Sequence, residues 1–245
     1  MNDRTTVLVL GATGATGMLL VRQLLDRGLA VKALVRSRDK LPEALQQQDR
    51  LTMIQDSVLD LSEKAFADLV DGCDAVASCL GHNLSLKGIF GHPRRLVTDA
   101  IRRTCQAVGE HHSGKPIKLL LMNTAGNSNR DLQEPVSIAQ SCVIGLLRRL
   151  VPPHRDNEEA ADFLRTNVGQ NDTAIEWVVI RPDSLVDEDS VNPYQLHSSP
   201  TRSAIFNPGK TSRVNVAHFM TELITDDELW NAWRGRMPVI YNTPS

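Results

Sequence analysis

Val7-Leu8-Val9-Leu10-Gly11-Ala12-Thr13-Gly14-Ala15-Thr16-Gly17 is the stretch whose reading decides the fold. The apolar run Val7–Leu10 reads as a strand buried on both faces. A glycine-rich turn follows at once. Met18 to Arg27 then carries Leu19-Leu20 and Leu24-Leu25 at helical spacing. Strand, glycine turn and helix in this order make the phosphate-cradling start of a dinucleotide-binding βαβ unit. Gly11 lets the chain turn tightly out of the strand, Gly14 lets backbone N–H groups approach a pyrophosphate, and Gly17 lets the helix pack close to the strand. Thr13, Ala15 and Thr16 complete the cradle. The helix N-terminus presents its free N–H groups and positive dipole end to the phosphates. A plain glycine turn is the competing reading.

The next strand, Ala30–Val35, runs into Arg36-Ser37-Arg38. A site for NAD(H) wants a carboxylate at the end of this strand to accept hydrogen bonds from the ribose hydroxyls. Here the residues are Val35 and Arg36. A guanidinium there suits a 2′-phosphate bidentately and stacks on adenine, and Arg38 and Lys40 add positive potential. The cofactor expected is therefore NADP(H), against the alternative that Arg36 is an ordinary solvated arginine.

The remaining chain alternates in the same way. Strand-like runs at Leu51–Ile54, Asp74–Leu80, Ile117–Met122 and Ile175–Ile180 are separated by helix-like stretches at Leu61–Val70, Pro93–His111, Val143–Leu150 and Asn157–Thr166. Continuous apolar runs with helices between them predict an α/β fold, a Rossmann-like doubly wound parallel sheet with helices on both faces. Residues 1–245 read as one dinucleotide-binding domain, with 182–245 contributing a loop and small C-terminal cap over the cleft. Pro182–Pro208, rich in Asp, Ser, Asn and Pro, reads as a long loop. Helices around Val216–Ile224 and Trp230–Trp233 and a last strand, Val239–Tyr241, follow.

Bulk properties exclude several classes. The 245 residues carry a net charge of −2 and are 41% hydrophobic, and the isoelectric point is about 6.4. Nothing points to nucleic acid or a membrane surface. No signal peptide or spanning segment is read, so a cytoplasmic protein is expected, and a homodimer is compatible with the sequence. Cys73, Cys79, Cys105 and Cys142 form no CxxC pair and read as reduced structural thiols. No metal-ligand spacing and no GxSxG elbow occur.

Because ligands of doubly wound sheets lie outside the carboxyl ends of the strands, further candidates are Asp56-Ser57, Leu80-Gly81 and Asn123-Thr124. The GxxGxxG spacing resembles that of the extended and atypical short-chain dehydrogenases/reductases, including NmrA-like proteins and the NAD(P)H-binding flavin-reductase-like group. The resemblance runs from Gly11–Gly17 through the basic residue after the second strand to Arg181-Pro182. It adds Pro182 to the candidates, and it implies that Asp56 receives the adenine amino group and that the Thr124 hydroxyl lies beside the nicotinamide. An Asx turn or helix cap is the alternative for Asp56.

Classical members use a Tyr activated by a Lys four residues on. Tyr194 is followed at that spacing by Ser198, and Tyr241 by Ser245. Near Pro152–Glu159, where the resemblance implies a lysine and a glutamate in atypical members, Asn157 and Ala161 stand at those places. The classical pair is absent. His154 is the natural substitute as proton donor, its ordinary pKa suiting neutral pH, with Arg155 beside it to hold a ribose or an anionic substrate. A surface histidine in a loop is the alternative. Leu86, Ile89 and Phe90, in a loop with three glycines, are candidates to line an apolar substrate pocket or simply to pack against the C-terminal helices.

The leading reading is an NADP(H)-binding oxidoreductase passing hydride to an acceptor that takes its proton from solvent, a flavin or quinone, with Thr124 and His154 at the reaction centre. The alternative is a non-catalytic NADP(H)-binding sensor of NmrA-like type. A nucleotide-sugar epimerase or dehydratase is disfavoured by the same missing Tyr-Lys pair.

Overall fold

A computed structural model of the chain describes residues 5–82, 91–111, 114–134 and 137–243. The candidate pocket residues Leu86, Ile89 and Phe90 lie outside them. The order is β1 (Thr6–Leu10), α1 (Ala15–Asp26), β2 (Ala30–Val35), α2 (Glu43–Gln46), β3 (Leu51–Gln55), α3 (Glu63–Val70), β4 (Ala75–Ser78), α4 (Leu96–His111), β5 (Ile117–Met122), α5 (Ile138–Leu150), α6 (Pro152–Phe163), β6 (Ile175–Pro182), β7 (Ser184–Val186), β8 (Tyr194–His197), β9 (Lys210–Ser212), α7 (Arg213–Thr225), α8 (Asp227–Trp233) and β10 (Val239–Asn242). One sheet has the strand order β3-β2-β1-β4-β5-β6-β10-β8. Its strands run parallel except β8, which pairs antiparallel with β10 at the edge. The chain returns to the centre between β3 and β4, so the carboxyl ends of β1 and β4 diverge into a crevice.

The apolar strands are explained by the layers they separate. In β1, Val7 and Val9 face one core with Leu20 and Leu24 of α1 and Val216 and Phe219 of α7. Leu8 and Leu10 face the opposite core with Phe66 of α3, Ile101 of α4 and Ala160 of α6. Both faces of the strand are buried, so alternation with polar residues is excluded.

The C-terminal segment does more than cap. β10 pairs parallel with β6 and β8 closes the edge, while β7 and β9 form a small separate pair. β7 and β8 therefore interrupt the stretch read as one long loop. They are short and lie among Pro, Asp and Ser, which hides the alternation that marks a strand.

Helix starts moved for identifiable reasons. α4 begins at Leu96 rather than Pro93, because Asp156 of α6 takes the Val97 and Thr98 N–H groups at 2.8 and 2.9 Å and so fixes where the helix opens. α6 begins at Pro152, so His154 lies in its first turn and not in a loop; two prolines suit that turn, where the N–H groups have no intrahelical partner.

Candidate functional site

Gly11 leaves β1 with φ +79°, and a side chain on it would lie 2.7 Å from the Cys79 carbonyl oxygen. The turn thus needs glycine twice over: for its backbone angle and for its approach to β4. A Cβ on Gly17 would overlap the Gly11 carbonyl, so this residue allows α1 to sit against the turn. Gly14 is the N-cap of α1 and supplies no side-chain cap, and no acidic residue occupies the first turn. The opening N–H groups are left for an external acceptor. Thr16 is buried and Ala15 exposed at the helix start.

A cavity of about 230 Å³ begins at this turn. Gly11, Thr13 and Gly14 line it from the first turn, Arg36 from the end of β2 and Lys40 from the short turn after it, Asp56 and Ser57 from the end of β3, and Leu80 and Gly81 from the end of β4. Arg36 and Lys40 are exposed and make no hydrogen bond or ion pair among the described residues. Arg38 is different: its Nη2 donates to the Met53 carbonyl at 3.1 Å, which turns it from the cavity. Asp56 accepts from the Ser57 N–H at 2.7 Å. Cys79 borders the same space, and burial pushes its thiol up to about 12, consistent with an inert structural cysteine. A larger hollow of about 670 Å³ lies at the amino ends of β1, β4 and β5, around Asp71, Asp74, Lys118 and Asp227. It is at the wrong end of the sheet for a doubly wound ligand site.

The remaining predicted residues form a second group beyond β4. Asn123 follows β5 directly and is engaged locally. Its Nδ2 donates to the Asn157 carbonyl at 2.8 Å, and its Oδ1 accepts the Thr124 N–H at 2.9 Å. Thr124 Oγ1 accepts the Gly126 N–H at 3.2 Å. A side chain on Gly126 would meet Thr124 Oγ1 at 3.7 Å and His154 Cε1 at 3.9 Å, so Thr124 and His154 flank one small residue. Pro182 is buried, and its carbonyl accepts the Ala125 N–H at 2.8 Å, holding the segment after β5 against β6. Neither Thr124, His154, Asn123 nor Pro182 lines the 230 Å³ cavity. Arg155 points outward and pairs with Glu159 at 2.7 Å.

His154 has a companion that sequence reading passed over. Its Nε2 lies 3.4 Å from Glu158 Oε1, and Glu158 Oε2 accepts from Arg148 Nε at 2.6 Å. Burial opposes the charge of Glu158, but His154 and Arg148 outweigh it and hold the carboxyl down at about 2. The one-turn spacing of His154 and Glu158 was visible once the segment is read as helix. Asp156 had no such signal. Its carboxylate accepts from His82 Nε2 and from two N–H groups of α4, contacts that only the tertiary fold creates.

Neither tyrosine is arranged as an activated acid. Tyr194 OH meets His218 Nδ1 at 3.0 Å, and burial pushes its phenol up to about 12. Tyr241 packs against Ala125, and burial and then Asp183 push its phenol up as well. Activation by a neighbouring lysine would act in the opposite direction.

The chain matches, over residues 11–227, the model of a protein family described as NAD(P)H-binding. A curated relative, an uncharacterized chloroplastic protein of Arabidopsis thaliana, is 37% identical over 75 residues, a stretch covering 31% of this chain and 23% of that protein. The chain thus spans about a quarter of the length of the curated relative it matches. Among solved structures, the oxidoreductase ylbE of Lactococcus lactis superposes with a TM-score of 0.69 at 16% identity, covering 98% of this chain and 92% of that one. A short-chain dehydrogenase/reductase of Veillonella parvula in complex with NADP gives 0.70 at 14% identity, with 97% and 94% covered. An anaerobilin reductase of Escherichia coli O157:H7 gives 0.68 at 17% identity, with 98% and 100% covered. At these identities the structural likeness establishes the fold. With the family match spanning most of the sequence, the chain belongs to the family described as NAD(P)H-binding, and its fold is the Rossmann-like one of these structures.

Proposed function

We propose that the protein is an NADP(H)-dependent oxidoreductase that passes a hydride to a flavin- or quinone-like acceptor. The observation that carries this reading is the pair of cations Arg36 and Lys40, without a partner among the described residues, in a cavity that starts at the uncapped end of α1. The residues present suit the group. The glycine turn leaves room where a Cβ would collide, the first N–H groups of α1 are placed to donate to an anion, and a guanidinium at the end of β2 suits a 2′-phosphate. The 230 Å³ cavity takes the adenosine end, with Asp56 toward the adenine amino group. The nicotinamide end extends past Gly81 toward Thr124.

Bound NADPH supplies the hydride. Thr124 holds the nicotinamide side through its hydroxyl, and His154 donates a proton to the reduced acceptor. An acceptor that also draws protons from solvent suits a site with no activated tyrosine. The anaerobilin reductase and the NADP-bound reductase among the structural relatives are in keeping with this chemistry. Residues 1–245 act as one dinucleotide-binding unit in this reading, in keeping with β8 and β10 joining the sheet that holds the turn.

A non-catalytic NADP(H)-binding sensor is the second reading, favoured by the two raised phenols. NADPH oxidation with a panel of flavins and quinones separates the two. The oxidoreductase reading predicts turnover with at least one acceptor, lowered in His154→Asn roughly 100-fold or more, with NADPH affinity unchanged. Binding of NADPH without turnover on any acceptor would leave the sensor.

A further inference from the structure

We propose that Glu158 is a positioning residue for His154: anchored by Arg148, its buried carboxylate takes the Nε2–H of the ring and leaves Nδ1 as the nitrogen that transfers the proton. This inference rests on the reading of His154 as proton donor. It starts from an oddity of packing. His154 Nε2 and Glu158 Oε1 are both buried, and neither has a well-formed hydrogen bond among the described residues, yet they face each other at 3.4 Å. Folded proteins rarely leave buried polar atoms unpaired, and two facing ones call for an explanation.

The neighbouring Asp156 shows what a purely structural carboxylate looks like in the same helix. Its oxygens are filled by His82 and by the Val97 and Thr98 N–H groups, all within 2.9 Å. Among the described residues Glu158 is tied by a short hydrogen bond at one oxygen, by Arg148 across the α5–α6 junction. The free oxygen points at the histidine. Catalytic contacts of this kind are often long without ligand and shorten in the complex. A carboxylate only accepts, so the nitrogen facing it must carry the hydrogen. The ring edge that includes Cε1 faces Gly126 and, across it, Thr124. With Nε2 committed to Glu158, Nδ1 serves that side.

The balance is simple. NADPH held by the glycine turn and Arg36 would supply the hydride to the acceptor. The doubly protonated ring gives its Nδ1 proton to the resulting anion and becomes neutral, with Nε2–H still against Glu158. Solvent restores the Nδ1 proton.

Ring nitrogen spectra of ¹⁵N-histidine-labelled full-length protein test this at a pH where the ring is neutral, with His154→Asn used for assignment. The wild type should show His154 as the Nε2–H tautomer. In Glu158→Gln, Arg148 retains the amide oxygen, the amide N–H₂ faces the ring, and the Nδ1–H tautomer should take over. Turnover should fall roughly tenfold or more at unchanged NADPH affinity. A wild-type ring in the Nδ1–H form, or a tautomer or rate indifferent to Glu158→Gln, would overturn the proposal. If Glu158→Gln does not fold, the wild-type spectrum alone decides. If no acceptor supports turnover in the wild type, the oxidoreductase reading fails while the spectra still decide how Glu158 holds the ring.

Discussion

Glu158 keeps its charge where burial opposes it, because Arg148 and His154 stand on either side. That has a consequence for acid stability. Its carboxyl titrates near 2 in the fold against an ordinary value of 4.5. A depressed carboxyl contributes stability that is fully present above the ordinary value and is lost as the pH falls through the folded one. The stability gap between wild type and Glu158→Gln should therefore narrow as the pH falls from about 4.5 to about 2. Urea midpoints across that range check it, and a gap that stays constant would contradict it. At this scale the sequence was most informative where backbone geometry demands one residue type. The need for glycine at 11 and 17 was readable because only that residue fits. The roles of Glu158 and Asp156 were not, since each depends on a partner from another element.

The opening of α4 is set by α6. Asp156 is fully buried and spans from α6 to the Val97 and Thr98 N–H groups in the first turn of α4, while Thr98 Oγ1 donates back to the Asp156 carbonyl at 2.9 Å. Asp156→Ala would strand two helix N–H groups and the His82 ring at once. The expected loss is about 2–4 kcal/mol of unfolding free energy, read by urea denaturation; a loss below about 0.5 kcal/mol would show that the cap contributes little. His82 follows Gly81, so this cap also fixes the strand end that borders the cleft. Helices and strands with long apolar patterns were legible in the sequence, and β1 through β6 fell where periodicity put them. Their ends were less so, because caps supplied from elsewhere, such as Asp156, leave no local mark. The histidine at 154 was legible as a candidate, but its place in a helix was hidden by two prolines that read equally well as a loop.

Across the whole molecule, one buried ion pair ties the sheet to the segment after β5. Arg181 is fully buried in β6, and its guanidinium donates to Glu134 at 2.7 and 3.1 Å and to the carbonyls of Met237, Asn127 and Ser198. Glu134, Asn127 and the β10 approach are thus held by one side chain from the strand that neighbours Thr124. Arg181→Met would leave a buried carboxylate with its charge uncompensated, at a cost of about 3–5 kcal/mol. Denaturation measured by urea should show that loss, and a change under about 1 kcal/mol would contradict it. The parallel sheet and its layers were legible from the alternation of apolar runs with helices, since burial on both faces leaves no other pattern. The extension of the sheet by β10 and β8 was not, because pairing between strands far apart in sequence is a property of the folded chain.

All of these scales converge on the cradle at Gly11 and the cations at the end of β2. Calorimetric titration of the protein with NADPH and NADH, repeated on Arg36→Ala, tests that claim most directly. The account predicts that NADPH binds at least about tenfold more tightly than NADH, as befits about 1.5–3 kcal/mol from a charge-assisted contact, and that Arg36→Ala removes most of the difference while leaving NADH affinity nearly unchanged. Equal affinities in the wild type, or equal losses for both dinucleotides in Arg36→Ala, would contradict it.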